Sequence, residues 1–358
     1  MKGALKVARE TVLALAAFIL VTIPGCTGKV NQQPTICPIE NRIVGLGYKM
    51  EMHFQASDPE NDPLSFRVEN LPFGASFASS PPVITWTPQR RGIFSGIKIM
   101  ASDGHTEVSK SFSIDVRAMP STIKGPQDGE AIMNVIYYGD HTPEVDSRIL
   151  GSKPEYIIAN PPHGLWGELS GDEIFTGISQ YQKTGIKVIG YITAGYEGTS
   201  SGGDISPKWY SLETNLRLIR DMANVDKVDG VFIDECSSFP DANSKQYLLS
   251  LTTLAHSLGL MTWGNVGVAS FDSWYFTDGG FDLMQSNEDW HGQELTQVQR
   301  EWGYRISVSG LYTELSAKAA FDLTSDAKEK GLAYCYICAS YHMLPDWFEQ
   351  YVDLLVSS

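Results

Sequence analysis

The sequence predicts a multidomain chain in which a small all-β sandwich is followed by a (β/α)8 barrel of the TIM type. Two changes of pattern predict it. Between residues 35 and 117 short runs alternate apolar and polar side chains, which is the period of half-buried strands. Beyond residue 131, continuous apolar runs alternate with segments of helical period, and there are eight such runs. Composition agrees: 358 residues, 42% apolar and 19% charged, form a globular chain rather than a disordered or coiled-coil one. The net charge of -15, with no basic block downstream of the N-terminus, excludes nucleic acid as a partner, because neutralising phosphates requires a basic face.

Residues 1–25 combine a basic start (Lys2, Lys6, Arg9), an apolar run from Thr11 to Ile23 and a short polar exit. This is the layout of an export signal, and the run is shorter than the roughly 20 residues of a membrane-spanning helix. Ile23-Pro24-Gly25-Cys26 resembles the bacterial lipoprotein box. The resemblance implies that Cys26 is lipidated and begins the mature chain, with residues 26–34 as a tether and the lipid as the sole membrane attachment. A cleaved signal with a chance cysteine, and hence a secreted protein, is the alternative.

Residues 35–117 carry the runs MEMHFQA, LSFRVE, VITWTP, IFSGIKIMAS and VSKSFSIDV, separated by turn clusters such as Asp58-Pro59-Glu60-Asn61-Asp62-Pro63 and Asp103-Gly104. Strands at this spacing without helices predict a sandwich of about seven strands. SDPENDPLSF, LPFGASF, ITWTP and ASDG, in that order, resemble the immunoglobulin or cadherin-like modules of bacterial surface proteins. In cadherin-like relatives such acidic loops bind calcium, and Asp58, Glu60, Asp62 and Asp103 offer the hard oxygens that calcium requires. The plainer reading is that Asp, Asn and Pro make the turns.

Residues 118–130 form a linker rich in Pro, Gly and polar residues. The eight apolar runs of residues 131–358 are 131–139, 155–161, 187–195, 230–235, 261–267, 281–288, 305–313 and 332–340. The intervening segments, for example LETNLRLIRDMAN and SAKAAFDLTSDAKEKG, have helical period and run into Gly or polar residues, as helix ends do. No G-x-G-x-x-G or phosphate-binding loop follows the first run, so a barrel is favoured over an open nucleotide-binding sheet. Cys335 and Cys338 have the spacing of metal ligands, but in a strand residues i and i+3 face opposite ways, which points to packing.

In such a barrel the reacting groups stand at the carboxyl ends of the strands. Those ends supply Tyr137 and Tyr138, Asn160, Tyr191 and Tyr196, Asp234 and Glu235, Asn265, Glu288 and Asp289, and Tyr312, in strand order through the seventh. Acids, amides and aromatics together suit sugar recognition, and Tyr137, Asn160, Tyr191, Tyr196, Asn265 and Tyr312 are the expected substrate contacts. The seven histidines form no H-x-H or HExxH group, and no lysine falls at a strand end, so neither a metal hydrolase nor a Schiff-base aldolase is expected and no cofactor is needed.

Glycoside hydrolysis needs two carboxyls, one to protonate the leaving oxygen and one to act as base or nucleophile. Glu235 is the expected acid, since burial against Phe232 and the charge of Asp234 would raise its pKa. Glu288 is the expected nucleophile or base, with Asp234 orienting substrate. Adjacent residues of a regular strand point to opposite sides, so Asp234 and Glu235 can both serve only if the strand bends or ends there.

IIANPPHG, TGIKVIGYITAGY, VDGVFIDE, WGNVG and SNEDW, in order, resemble the spherulin-4-like glycoside hydrolases, relatives of the endo-α-1,4-polygalactosaminidases, over the whole of residues 131–358. The resemblance implies an endo-acting hydrolase of galactosamine- or N-acetylgalactosamine-containing polysaccharide, with essential acids at Asp234, Glu235 and Glu288. The segment PPHGLWGELSGDE after Asn160 departs from the shorter Gly-Pro turn of that family. A non-catalytic polysaccharide-binding or adhesion protein is the rival reading, as is a hydrolase of another glycan.

Overall fold

The computed structural model describes residues 31–118, 134–169, 174–200 and 205–357. The export signal and Cys26 lie outside the described residues, as does nearly all of the linker.

Nine strands build the first part: β1 (Thr35–Ile36), β2 (Arg42–Gly45), β3 (Met50–His53), β4 (Ala56–Ser57), β5 (Ser65–Glu69), β6 (Ser76–Ser79), β7 (Pro82–Trp86), β8 (Gly92–Ser102) and β9 (Glu107–Arg117). They form sheets of order β2-β9-β8-β5 and β3-β7-β6, with β1 and β4 as a separate pair. Alternation buries Met50 and Met52 of β3 and turns Glu51 and His53 outward. Ile84 and Trp86 of β7 join Ile97 and Ile99 of β8 and Phe112 and Ile114 of β9 in one core, so the two larger sheets are packed face to face.

The acidic turns of this sandwich are closed by two of their own aspartates, Asp58 and Asp103. Asp58 Oδ1 accepts the backbone N–H groups of Glu60 (2.9 Å) and Asp62 (3.1 Å), which is a turn closed by its own aspartate. Asp103 accepts from the N–H groups of Thr106 (2.6 Å) and His105 (2.7 Å) and from Asn31, and these bonds hold its carboxyl well below the usual range. Among the described residues no three His, Cys, Asp or Glu side chains stand where they could hold a metal ion, and Glu60 accepts from Gln32 at 2.7 Å.

The second part is a barrel of eight parallel strands: β10 (Asn134–Ile136), β11 (Tyr156–Ala159), β12 (Lys187–Thr193), β13 (Gly230–Asp234), β14 (Met261–Asn265), β15 (Leu283–Gln285), β16 (Ile306–Leu311) and β17 (Tyr334–Cys338). Each pairs in parallel with the next in sequence. The ends of the sheet meet where the Tyr138 N–H donates to the Tyr341 carbonyl at 2.6 Å. Inside, the rings of Tyr156, Trp263 and Tyr334 converge with centroids 5.6–5.9 Å apart, so the lower half is a packed core. Cys335 and Cys338 are both free and buried, as strand alternation predicts for packed side chains.

Helices Pro143–Ser152, Leu212–Asp221, Ala242–Ser257 and Ala317–Glu329 are each entered through a capping side chain: Thr142, Ser211, Asp241 and Ser316. The helical layer is less regular than the sequence pattern predicts. Between β14 and β15 only Trp274–Thr277 is helical, because the aromatic residues there pack ring to ring, with Phe276 stacked on Trp302 at 4.9 Å. Residues after Gln285 leave the ladder early, since Gln299 takes Asn287 (2.6 Å) and Ser286 (3.1 Å) into a buried amide network.

The sandwich sits against the amino-terminal end of the barrel. Tyr48, between β2 and β3, is 7% exposed and belongs to the barrel's core. Its hydroxyl lies 2.9 Å from that of Tyr334, which donates to Glu155 at 2.8 Å. Arg117 lies over the Trp302 ring at 5.6 Å, and Arg42 donates to the Glu329 carbonyl.

Candidate active site

β13 ends at Asp234, and Glu235 takes a left-handed backbone conformation (φ 53°). That turn resolves the problem of two adjacent acids. Tyr191 and Thr193 stand two apart on β12 and so share a face. Tyr191 donates to Asp234 Oδ2 at 2.7 Å, and Thr193 donates to Glu235 Oε2 at 2.6 Å. Both carboxylates therefore face the same side.

Asp234 Oδ1 also accepts from the Glu235 N–H and from Asn265 Nδ2, each at 2.7 Å. The same Asn265 nitrogen donates to Glu288 Oε1 at 2.8 Å. One amide thus joins the acid of β13 to the acid beyond β15. Burial raises the pKa of both Asp234 and Glu288, and the charge of Asp234 raises that of Glu288 further. The charges that act on Glu288 are other carboxylates, Asp234 and Asp289. Asp234, Glu235 and Glu288 are each only partly buried, so the cluster opens to solvent.

The donors divide unequally. Asp234 receives three hydrogen bonds, from Tyr191, Glu235 N–H and Asn265, whereas Asn265 is the donor on Glu288. Donors favour the anion, and burial with a like charge disfavours it. Burial raises both carboxyls, and the three donors on Asp234 oppose that rise more than the one on Glu288 does. The sequence expectation gave the proton to Glu235, whose Oε2 accepts from Thr193 at 2.6 Å.

The expected sugar contacts separate into four groups. Tyr196, 41% exposed, stands beside the cluster: after burial, the charges of Glu235, Asp234 and Glu288 raise its phenol pKa. Tyr191 and Asn265, at 7% and 6% exposure, hold carboxylates from beneath instead of lining the surface. Tyr137 and Asn160 are sealed. Tyr137 donates to the Asp140 carbonyl at 3.2 Å and packs edge-on to His141, because it is one residue out of phase with the inward face. Asn160 is 2% exposed, with its backbone carbonyl taken by the Phe175 N–H at 2.7 Å. Tyr312 is half-buried, and its hydroxyl donates to the Trp290 carbonyl.

Three further side chains stand around the acids and were not among the expected contacts. Tyr138 is in phase, its ring 5.3 Å from Tyr191 and 5.9 Å from Tyr341. Thr193 was findable, since it follows Tyr191 at the strand period. Tyr341 lies in the loop after β17, where no periodicity marks it, and bonds Ser309 at 2.6 Å.

No family model matches the chain, and no curated protein sequence matches it. Among solved structures it is similar to Aspergillus clavatus Sph3 in complex with GalNAc, at 17% identity and a TM-score of 0.44, over 63% of this chain and 96% of that one. A Bacteroides fragilis protein with a provisional α-galactosidase/melibiase designation aligns at 13% identity and a TM-score of 0.37, over 90% of this chain and 78% of its own. Human protocadherin-24 EC1-2 aligns at 16% identity and a TM-score of 0.22, over 25% of this chain and 44% of that one.

Proposed function

We propose that the chain is an endo-acting glycoside hydrolase of galactosamine-containing polysaccharide, with Glu288 as proton donor and Asp234 as its anionic partner. The observation that carries this reading is the single Asn265 nitrogen bonded to both acids. At 2.7 and 2.8 Å from that nitrogen, the two oxygens stand no farther apart than the two lengths end to end, about 5.5 Å. A protein nucleophile works at a separation of about 5–5.5 Å, while an inverting pair needs about 6.5–9.5 Å to admit water. The spacing supports retention. Asp234 attacks the anomeric carbon as Glu288 protonates the departing glycosidic oxygen; Glu288 then takes a proton from the water that releases the sugar.

Glu235, tied to Thr193, lines the same side and provides charge or a hydroxyl contact. Tyr196 offers the exposed ring on which a pyranose face can lie. The substrate class follows from the sequence resemblance, and the carboxylate-rich cluster suits a sugar bearing a free ammonium group. The signal-like N-terminus and Cys26 support export, with a lipid anchor or as a secreted form.

Incubating the full chain with partly deacetylated galactosaminan and measuring new reducing ends tests the reading. Asp234→Asn and Glu288→Gln are each expected to cut the rate by about 10²–10⁴-fold. Binding without release, unchanged in both variants, would assign an adhesion role instead, and release from another glycan alone would move the substrate.

A further inference from the structure

One buried carboxylate at the same end of the barrel takes no part in the chemistry above. Glu197 belongs to the turn Gly195–Gly198 that follows β12, where four consecutive residues have φ of 51°, 47°, 59° and 80°. Residues that carry a Cβ adopt this left-handed conformation only where their surroundings impose it. Tyr196, the exposed ring of the cleft, is one of them.

The surroundings here are the loop after β13. Glu197 is 8% exposed, and Ser237 engages both of its oxygens: the backbone N–H donates to Oε1 at 2.9 Å and the hydroxyl donates to Oε2. In return, the Tyr196 N–H donates to the Glu235 carbonyl at 2.8 Å. Two neighbouring residues of one loop therefore grip the other loop on either side of Cys236, with the left-handed Glu235 held in the grip. Ser237 is itself anchored, since its carbonyl accepts the Tyr275 hydroxyl at 2.5 Å. The Glu197 carboxylate is held by this loop, with a further hydrogen bond from Ser244 of the helix Ala242–Ser257, and its Ser237 bonds fix the backbone beneath Tyr196 and Glu235.

We propose that Glu197 is a positioning residue whose bonds to Ser237 lock the β12 and β13 loops together and so hold the Tyr196 ring and the Glu235 carboxylate in register for a sugar. The proposal rests on the sugar-cleaving reading of the cleft. Glu197→Ala removes the lock. Glu197→Gln retains it, because the amide oxygen accepts the Ser237 N–H and the amide nitrogen donates to the Ser237 hydroxyl. Ser237→Ala removes one of the two bonds from Ser237 while leaving that from Ser244, and serves as the second variant if Glu197→Ala does not fold.

The full chain is assayed on partly deacetylated galactosaminan, and amide exchange is followed at Tyr196 and Ser237. Glu197→Ala is expected to raise KM at least tenfold with a smaller change in kcat, and to speed exchange of both amides at least tenfold while the β13–β14 ladder stays protected. Glu197→Gln is expected to restore both. An unchanged KM in an active enzyme, or unchanged exchange at both amides, overturns the proposal. Should the wild-type chain release no sugar, the function reading fails, and the exchange measurement still decides whether the lock exists.

Discussion

Asn265 stands between two acids that burial pushes toward the neutral form, and its two hydrogens serve one carboxylate each. Folding raises the pKa of Asp234 and of Glu288, so the folded chain favours their protonated states. The stability this contributes is whole below pH about 4 and is lost as pH rises through the raised values. Glu288→Gln mimics the protonated acid at every pH. It should raise the melting temperature at pH 8 by about 2–4 °C and leave it unchanged at pH 4, while cutting sugar release by about 10²–10⁴-fold. A calorimetric scan at the two values checks this, and equal shifts at both would remove the buried charge from the account. For the wild type, kcat/KM should fall on the alkaline side as Glu288 loses its proton, a limb seen in a pH profile of reducing-end release. These residues were legible as types at strand ends. Their division of labour was not, because it depends on how many donors reach each oxygen, and donors come from three different strands.

Strand ends and the turns after them decide what reaches the cleft. β12, β13 and β14 begin where the apolar runs begin, at Lys187, Gly230 and Met261. Their ends differ from the pattern, because a chain leaving a ladder answers to its next contact and not to periodicity. The turn at Gly195 shows the difference. A Cβ there would stand 2.5 Å from both the Ser200 carbonyl oxygen and Tyr210 Cγ, on a backbone of φ 51°. Gly195→Ala should cost about 2–4 kcal/mol, combining left-handed strain with overpacking. Gly185→Ala, at φ 91° with open space around it, carries the backbone cost alone and should lose about 1 kcal/mol. Chemical denaturation of the two variants separates the contributions, and equal losses would mean that the space around Gly195 is not closed.

At the scale of the whole molecule, the sandwich acts as the floor of the barrel. Tyr48 reaches from one part into the core of the other, and its hydroxyl joins Tyr334 and Glu155 across the lower mouth. A β-module tethered by a linker could be a free bead, but this one covers apolar and hydrogen-bonding groups that water would otherwise reach. Tyr48→Ala should therefore lower unfolding free energy by about 3 kcal/mol, the scale of a buried aromatic truncation. The loss should appear in a single cooperative denaturation transition, read by the barrel tryptophans. A Tyr48→Ala chain in which the barrel's transition stays where it was would show that the two parts fold independently.

The sequence by itself determined the two periods, the eight strands in order and the acids at their ends, because strand alternation and burial on both faces are local properties that leave a local trace. Tertiary structure decided how many donors reach each acid, and which tyrosine stands exposed beside the acids and which is sealed one residue out of phase. The side-chain donors on the acids come from residues 23 to 43 positions away, farther than the period of any strand or helix, so no local pattern contains both partners.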